Sequence, residues 1–236
     1  MKVNTDGVLL GAAMTISPSD RRMLDIGTGT GTIALMCAQR IGDMLSHMAG
    51  DDANVNAGEI SICAVDVDEA SASEAADNFA CSPWSGSLKA FHMSLDEFAA
   101  SSDKGFDMIF SNPPYFEDSF LAPDERKANA RHTANGLSYR EILDFAAERL
   151  SEDGRVSLVL PADQEAPLCR HARMDGLHLF RILRIRTVPR KAPVRIVAEF
   201  SRHRCTDPQE ELLTIQNEGK YTEEYLSLTR EFYLFA

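Results

Sequence analysis

Residues 24–32 read Leu-Asp-Ile-Gly-Thr-Gly-Thr-Gly-Thr, LDIGTGTGT, directly after the short apolar run that begins at Arg22. Three glycines alternate with threonine where a strand hands over to a helix. Glycine at such a turn lets the backbone adopt left-handed angles and approach a ligand closely. The helix that follows offers unpaired N–H groups to whatever lies over the turn. A dinucleotide-binding turn requires G-x-G-x-x-G, but its last glycine is replaced here by Thr32, which leaves Gly27-x-Gly29-x-Gly31. The segment therefore predicts a strand, a ligand-facing turn and a helix, with the ligand left open.

Working outward, Ile33, Met36, Cys37, Ile41, Met44, Leu45 and Met48 recur at helical spacing. ISICAVDVD (60–68) is a β-branched strand, and EASASEAADNFA (69–80) is helical. LKAFHMS (88–94) and FDMIFS (106–111) are further strands, with DEFAAS between them. SYREILDFAAERLSEDG (138–154) predicts an amphipathic helix closed by an Asp-Gly turn, leading into the buried strand RVSLVLP (155–161). Two β-rich runs, 177–188 and 194–202, flank the PRKAP turn, and TEEYLSLTREFYLF (222–235) closes the chain as a helix. Alternating strands and helices mean an α/β fold, a mainly parallel sheet covered on both faces. The expectation is one Rossmann-like domain over 1–236, seven-stranded, with an antiparallel hairpin at one edge. Residues 42–58 exceed a normal connection and read partly as a surface insertion.

The 236 residues are 44% apolar and 25% charged, the range of a globular chain. Five scattered cysteines form no C-x-x-C pair, so they read as reduced thiols. No His or Cys cluster has ligand spacing, so no metal is expected. The absence of a long apolar run or a basic leader predicts a cytoplasmic, membrane-free protein. A net charge of −12 argues against a generic nucleic-acid coat, yet residues 170–204 carry +8 against −20 elsewhere. That asymmetry predicts either one basic face or solvated arginines on edge strands.

The G-x-G-x-G turn is similar to the loop of S-adenosylmethionine-dependent methyltransferases, in which the amino-acid part of the cofactor lies over Gly27, Thr28, Gly29 and Gly31. Asp66, at the end of the next strand, suits the two ribose hydroxyls, with Asp68 available as the helix cap. Val67 would lie against the adenine face. Asp25 is read as supporting the loop. Methyltransferases of this kind usually carry an Asp after the third strand for the adenine amino group. Here Ser94 holds that place, with Asp96 two residues on, and either could serve.

IFSNPPYF (109–116) then makes chemical sense. An adenine amine is a poor nucleophile, because its lone pair is delocalised into the ring. The Asn112 side-chain oxygen and the Pro113 carbonyl can each accept one amine proton and aim that lone pair at the methyl group. Pro113 and Pro114 fix φ and remove competing N–H donors. Tyr115 offers a stacking face, worth about 1–3 kcal/mol per base, and Phe116 a second wall.

N-P-P-Y motifs resemble those of adenine N6-, cytosine N4- and glutamine-amide methyltransferases. MKVNTDGVLLGAA at the start and YTEEYLSLTREFYLF at the end, with SNPPYF and ARHT between, resemble the bacterial tRNA(Val) adenine N6-methyltransferase family. The resemblance implies methylation of the anticodon-loop adenine 37 of a valine tRNA, with S-adenosylhomocysteine as the other product. It also implies that Thr5, Asp6 and Gly7 lie beside the methionine end of the cofactor. Arg126, Lys127 and Arg131, and more remotely Arg190, Lys191 and Arg195, are candidates for RNA phosphates on charge and position. A monomer is expected. The alternative is the same chemistry on another RNA, such as rRNA, or on a protein glutamine amide.

Overall fold

The computed structural model describes residues 5–49, 60–101, 105–114 and 137–233. Helix α1 (Thr5–Ala13) leads into β1 (Arg22–Ile26), α2 (Thr32–Ala49), β2 (Ser61–Asp66), α3 (Glu69–Ala80), β3 (Leu88–His92), α4 (Leu95–Ser101) and β4 (Phe106–Ser111). After it come α5 (Tyr139–Arg149), β5 (Leu150–Pro161), α6 (Glu165–Met174), β6 (His178–Arg186), β7 (Arg195–Ser201) and β8 (Gln209–Thr214). The two-residue strands β9 (Gln216–Asn217) and β10 (Lys220–Tyr221) precede α7 (Glu223–Thr229).

Among the described residues eight strands form one sheet in the order β3-β2-β1-β4-β5-β7-β6-β8. β7 runs antiparallel to both of its neighbours, β5 and β6, whereas β6 and β8 pair in parallel. Among the described residues β7 is thus the single reversed strand of this sheet. The α/β class agrees with the expectation. The strand count does not, because QEELLT (209–214) adds an eighth strand outside β6. The β6–β7 hairpin is therefore internal rather than at the edge. The charged run QEEL lacks the apolar alternation that signals a strand, and β8 instead pairs through its backbone.

Successive side chains of a strand enter opposite helical layers. On β1, Met23 joins the core under α1, α2, α3 and α7, and Leu24 joins the one under α4, α5 and α6. Val156, Leu158 and Leu160 of β5 face the second layer, while Val159 faces the first. This alternation on a two-sided sheet explains why the strands read as nearly unbroken apolar runs.

Three local expectations change. Residues 42–49 are not insertion but the last turns of α2, with Leu45 buried; the rest of the expected insertion, 50–58, lies outside the described residues. The Asp153-Gly154 pair is not a terminating turn but part of a bulge, where pairing with β4 jumps from Phe106↔Leu150 to Met108↔Arg155. A Cβ on Gly154 would come within 2.5 Å of the Phe106 carbonyl oxygen, so only glycine fits. The closing helix is shorter than expected, Glu223–Thr229, and is capped by Thr222.

A buried polar cluster bolts α1 to the sheet. The Glu199 carboxylate, fully buried on β7, accepts from Thr15 N and Thr15 Oγ1 at 2.9 Å each. It also accepts from Ser157 Oγ at 2.8 Å and from Arg181 Nη1 at 2.6 Å. Arg181 donates on to the Ala13 carbonyl, and Arg155 spans the Thr15 carbonyl and Asp20. A buried charge is tolerable only with such full pairing.

Candidate active site

Ile26 of β1 pairs with Ser111 of β4 in a parallel ladder. Gly27 and Asn112 are the next residues on each strand. Neighbouring strands lie about 4.8 Å apart, so the glycine turn and the Asn-Pro-Pro segment leave the same rim side by side. Ser111 Oγ donates to the Ile26 carbonyl at 2.6 Å, a buried bond that ties the two exits together. Asn112 is half-buried, Pro113 buried and Pro114 exposed. Tyr115, Phe116, Arg126, Lys127 and Arg131 lie outside the described residues.

All three loop glycines are left-handed, with φ of 69° at Gly27, 57° at Gly29 and 78° at Gly31. Gly31 also sits against the ring of Phe79 on α3, where an added Cβ would come within 2.4 Å of a ring carbon. At Gly27 an added Cβ would meet nothing within 4 Å. It would project into open space. The loop is held from below, since Gly27 N and Thr28 N both donate to the Val65 carbonyl.

Asp66 stands at the end of β2 on this rim. Its Oδ2 accepts from Gly29 N at 2.8 Å and its Oδ1 from Asp68 N at 3.0 Å. Each carboxylate oxygen retains acceptor capacity for a hydroxyl. Asp68, not Asp66, caps α3, taking Ser71 N at 2.9 Å. Val67 beside it is 62% exposed, a large apolar side chain laid open at the rim. Asp25 lies beneath the loop, fully buried, and accepts from Thr28 Oγ1 at 2.7 Å. Burial pushes its carboxyl up to about 7, against the Thr28 hydrogen bond that lowers it.

Ser94 stands at the start of α4. Its N–H and its hydroxyl both donate to Glu97 Oε2 at 2.8 Å, and Glu97 N donates back to Ser94 Oγ at 3.2 Å. That reciprocal pair is a capping box at the start of α4, and Asp96 is exposed in its first turn.

α1 descends the sheet from this rim. Asp6 Oδ2 accepts from Arg195 Nε at 2.9 Å, and Arg195 pairs in register with Pro161 at the carboxyl end of β5. The chain then passes Thr15 at the level of Glu199, which lies down the sheet from Arg195 on β7 and level with Asp25. Thr5, Asp6 and Gly7 therefore start α1 at the rim that holds the glycine turn. Arg195 is turned inward onto Asp6, not outward to RNA as expected.

Much of the basic stretch 170–204 is likewise paired within the protein. Arg181 bridges Glu199 and Glu211, and Arg184 bridges Glu165 and Glu210. Arg186 donates to Thr214 Oγ1, and Arg202 to the Ala147 carbonyl. Arg190 and Lys191 are exposed on the β6–β7 turn, which emerges at the same rim as Asn112. Two contributors were not anticipated, Ser111 and Phe79. A serine closing an apolar strand just before Asn-Pro-Pro was the available signal for the first; nothing local marks the second.

A family model described as the methyltransferase small domain matches residues 5–175. A Bacteroides thetaiotaomicron protein named tRNA1(Val) (adenine(37)-N6)-methyltransferase is 40% identical over 234 residues, covering 99% of this chain and 91% of its own. A protein of the same name from Flavobacterium psychrophilum is 35% identical over 234 residues, covering 99% and 93%. Among solved structures, a predicted O-methyltransferase from Agrobacterium tumefaciens matches with a TM-score of 0.64 over 94% of this chain and 95% of that one, at 14% identity. The M protein of the Type I restriction enzyme EcoKI gives 0.60 over 95% of this chain and 52% of its own, also at 14%. At such identity these two likenesses concern the fold alone.

Proposed function

Because the chain belongs to the tRNA1(Val) (adenine(37)-N6)-methyltransferase family, we propose that it methylates N6 of the anticodon-loop adenine 37 of a valine tRNA, acting as one domain. S-adenosylmethionine supplies an electrophilic methyl on its sulfonium. The residues at the rim fit that donor. The open space over Gly27 admits its amino-acid part, Asp66 keeps acceptor capacity for the ribose, and Val67 offers an apolar face to the adenine. Asp6, oriented by Arg195, is placed to accept from an ammonium at the methionine end.

The observation that carries this reading is the Ile26↔Ser111 register, which sets Asn112 beside the glycine turn. From there the Asn112 side-chain oxygen and the Pro113 carbonyl accept the two amine protons of the target base. They draw its nitrogen towards tetrahedral geometry and direct the lone pair at the methyl. This is positioning with electrostatic stabilisation, and no base is needed to begin it. The buried Pro113 and the Ser111–Ile26 bond hold those acceptors still. A loop adenine is already unpaired, so extruding it costs less than flipping a base from a duplex, which takes a few kcal/mol. Arg190 and Lys191 stand on the same rim to meet phosphates of the bound RNA, and Tyr115 follows the catalytic turn as the stacking ring.

The test is incubation with labelled S-adenosylmethionine and total tRNA from cells lacking the enzyme, followed by nucleoside mapping. N6-methyladenosine at position 37 of a valine tRNA is expected. Label on rRNA or on protein alone would discard the substrate. Asn112→Ala should lower kcat by a factor of about a hundred or more, the scale of a lost positioned acceptor, while cofactor affinity stays within about twofold.

A further inference from the structure

Helices α5 and α6 lie together on one face of the sheet, and three metal-ligating side chains converge where they meet. His171 Nε2 is 2.8 Å from Asp144 Oδ1 and 3.3 Å from Asp175 Oδ2. The three donor atoms all fall within 4.8 Å of one another. Spacing along the chain conceals the group, since Asp144 is on a different helix from the other two.

One imidazole nitrogen carries at most one proton, so it can donate to only one of these carboxylates. The shorter contact is with Asp144. Asp175 Oδ2 is left shielded from solvent with no hydrogen-bond partner. His171 attracts the Asp175 carboxylate, and Asp144 beside it opposes its charge. Two carboxylates brought to one imidazole repel each other, and a cation held between them relieves that repulsion.

We propose that Asp144, His171 and Asp175 form a binding site for a divalent transition-metal ion of the zinc or cobalt type, clamping α5 to the end of α6. One imidazole nitrogen with two carboxylate oxygens is a donor set for borderline cations, whereas magnesium and calcium favour all-oxygen sites. A cation about 2.1 Å from each donor would see the two His171 separations under angles of roughly 84° and 104°. Those values fall around the octahedral and tetrahedral ideals, and small side-chain rotations bring in all three donors. Asp144, 59% exposed, leaves an entry path from solvent. α6 runs from the carboxyl end of β5 to the start of β6, so Asp175 lies at the rim opposite Asn112. The ion would stabilise the helical layer and take no part in methyl transfer, so this inference stands apart from the proposed activity.

Protein stripped with a chelator and dialysed is titrated with Zn²⁺ and with Co²⁺, following heat, thermal melting and the cobalt absorption spectrum. The expected result is saturable binding of one ion per chain, a higher Tm, and cobalt ligand-field bands without thiolate charge transfer. Asp175→Asn and His171→Gln should each weaken binding by about tenfold or more. Asp175→Asn keeps the side-chain shape and removes the repulsion, so it folds and melts, without metal, no lower than the parent. Absence of saturable binding would overturn the site, as would equal affinity in the variants, or thiolate bands placing the ion on cysteine. A metal-independent Tm in the parent would also overturn it.

Discussion

Gly27→Ala and Gly31→Ala perturb one turn in two different ways, and the structure sets the size of each. Both positions have positive φ, 69° and 78°, where a Cβ costs about 1–2 kcal/mol. A stiffer unfolded chain returns about 0.4–1 kcal/mol of that. At Gly31 the new methyl also lands 2.4 Å and 2.9 Å from two ring carbons of Phe79 and 3.3 Å from Ala75 Cβ. Phe79 is 2% exposed and cannot swing away, so overpacking adds about 1–3 kcal/mol. Gly31→Ala should therefore cost roughly 2–4 kcal/mol and lower Tm by roughly 5–15 °C at this chain length. Gly27→Ala should cost only about 1 kcal/mol, since its Cβ meets nothing within 4 Å. The functional ranking reverses. In the proposed site the Gly27 methyl would intrude on the cofactor, so S-adenosylmethionine affinity should fall about tenfold or more, about 1.4 kcal/mol. Thermal melting and calorimetric titration of both variants read the two effects separately. Unchanged cofactor affinity in Gly27→Ala, or equal melting temperatures in the two variants, would refute the reasoning.

Glu199→Ala removes the acceptor of four hydrogen bonds and leaves Arg181, Thr15 and Ser157 short of a partner; chemical denaturation should show a loss of about 3–5 kcal/mol. Asp25, raised from 3.8 to about 7 by burial, gives stability a pH slope of definite sign. Below about pH 4 the carboxyl is protonated folded and unfolded, and between about pH 4 and 7 only the unfolded chain releases the proton. Its contribution therefore falls as pH rises through that window and stays at its minimum above it, a difference on the order of 4 kcal/mol. Denaturation midpoints of Asp25→Asn and parent should diverge in the variant's favour from about pH 4 to 7. Arg195→Ala should weaken S-adenosylmethionine binding in the absence of RNA, with Arg195→Lys restoring part of it. A lost RNA salt dependence with intact cofactor binding would instead make Arg195 a phosphate contact.

What was legible in the sequence is what neighbours along the chain decide together. Glycine at 27, 29 and 31 specifies a left-handed turn because no other residue takes that backbone cheaply, and β-branched runs between helical periods specify the alternation of layers. Asp66 at a strand end and Asn112 ahead of two prolines are positioned by the ends of their own strands. Once the strands are parallel, both must emerge at the carboxyl rim.

Tertiary structure alone decided where the charges went. Arg195 reads as an exposed cation until the fold brings it to Asp6, 189 residues away. β8 carries no apolar alternation and exists because β6 presents an open edge, while His171 meets Asp144 only through the packing of two helices. Local pattern fixes backbone conformation, which depends on a residue and its near neighbours. The partner of a charge or a strand edge depends on which distant segment folding places within about 3 Å.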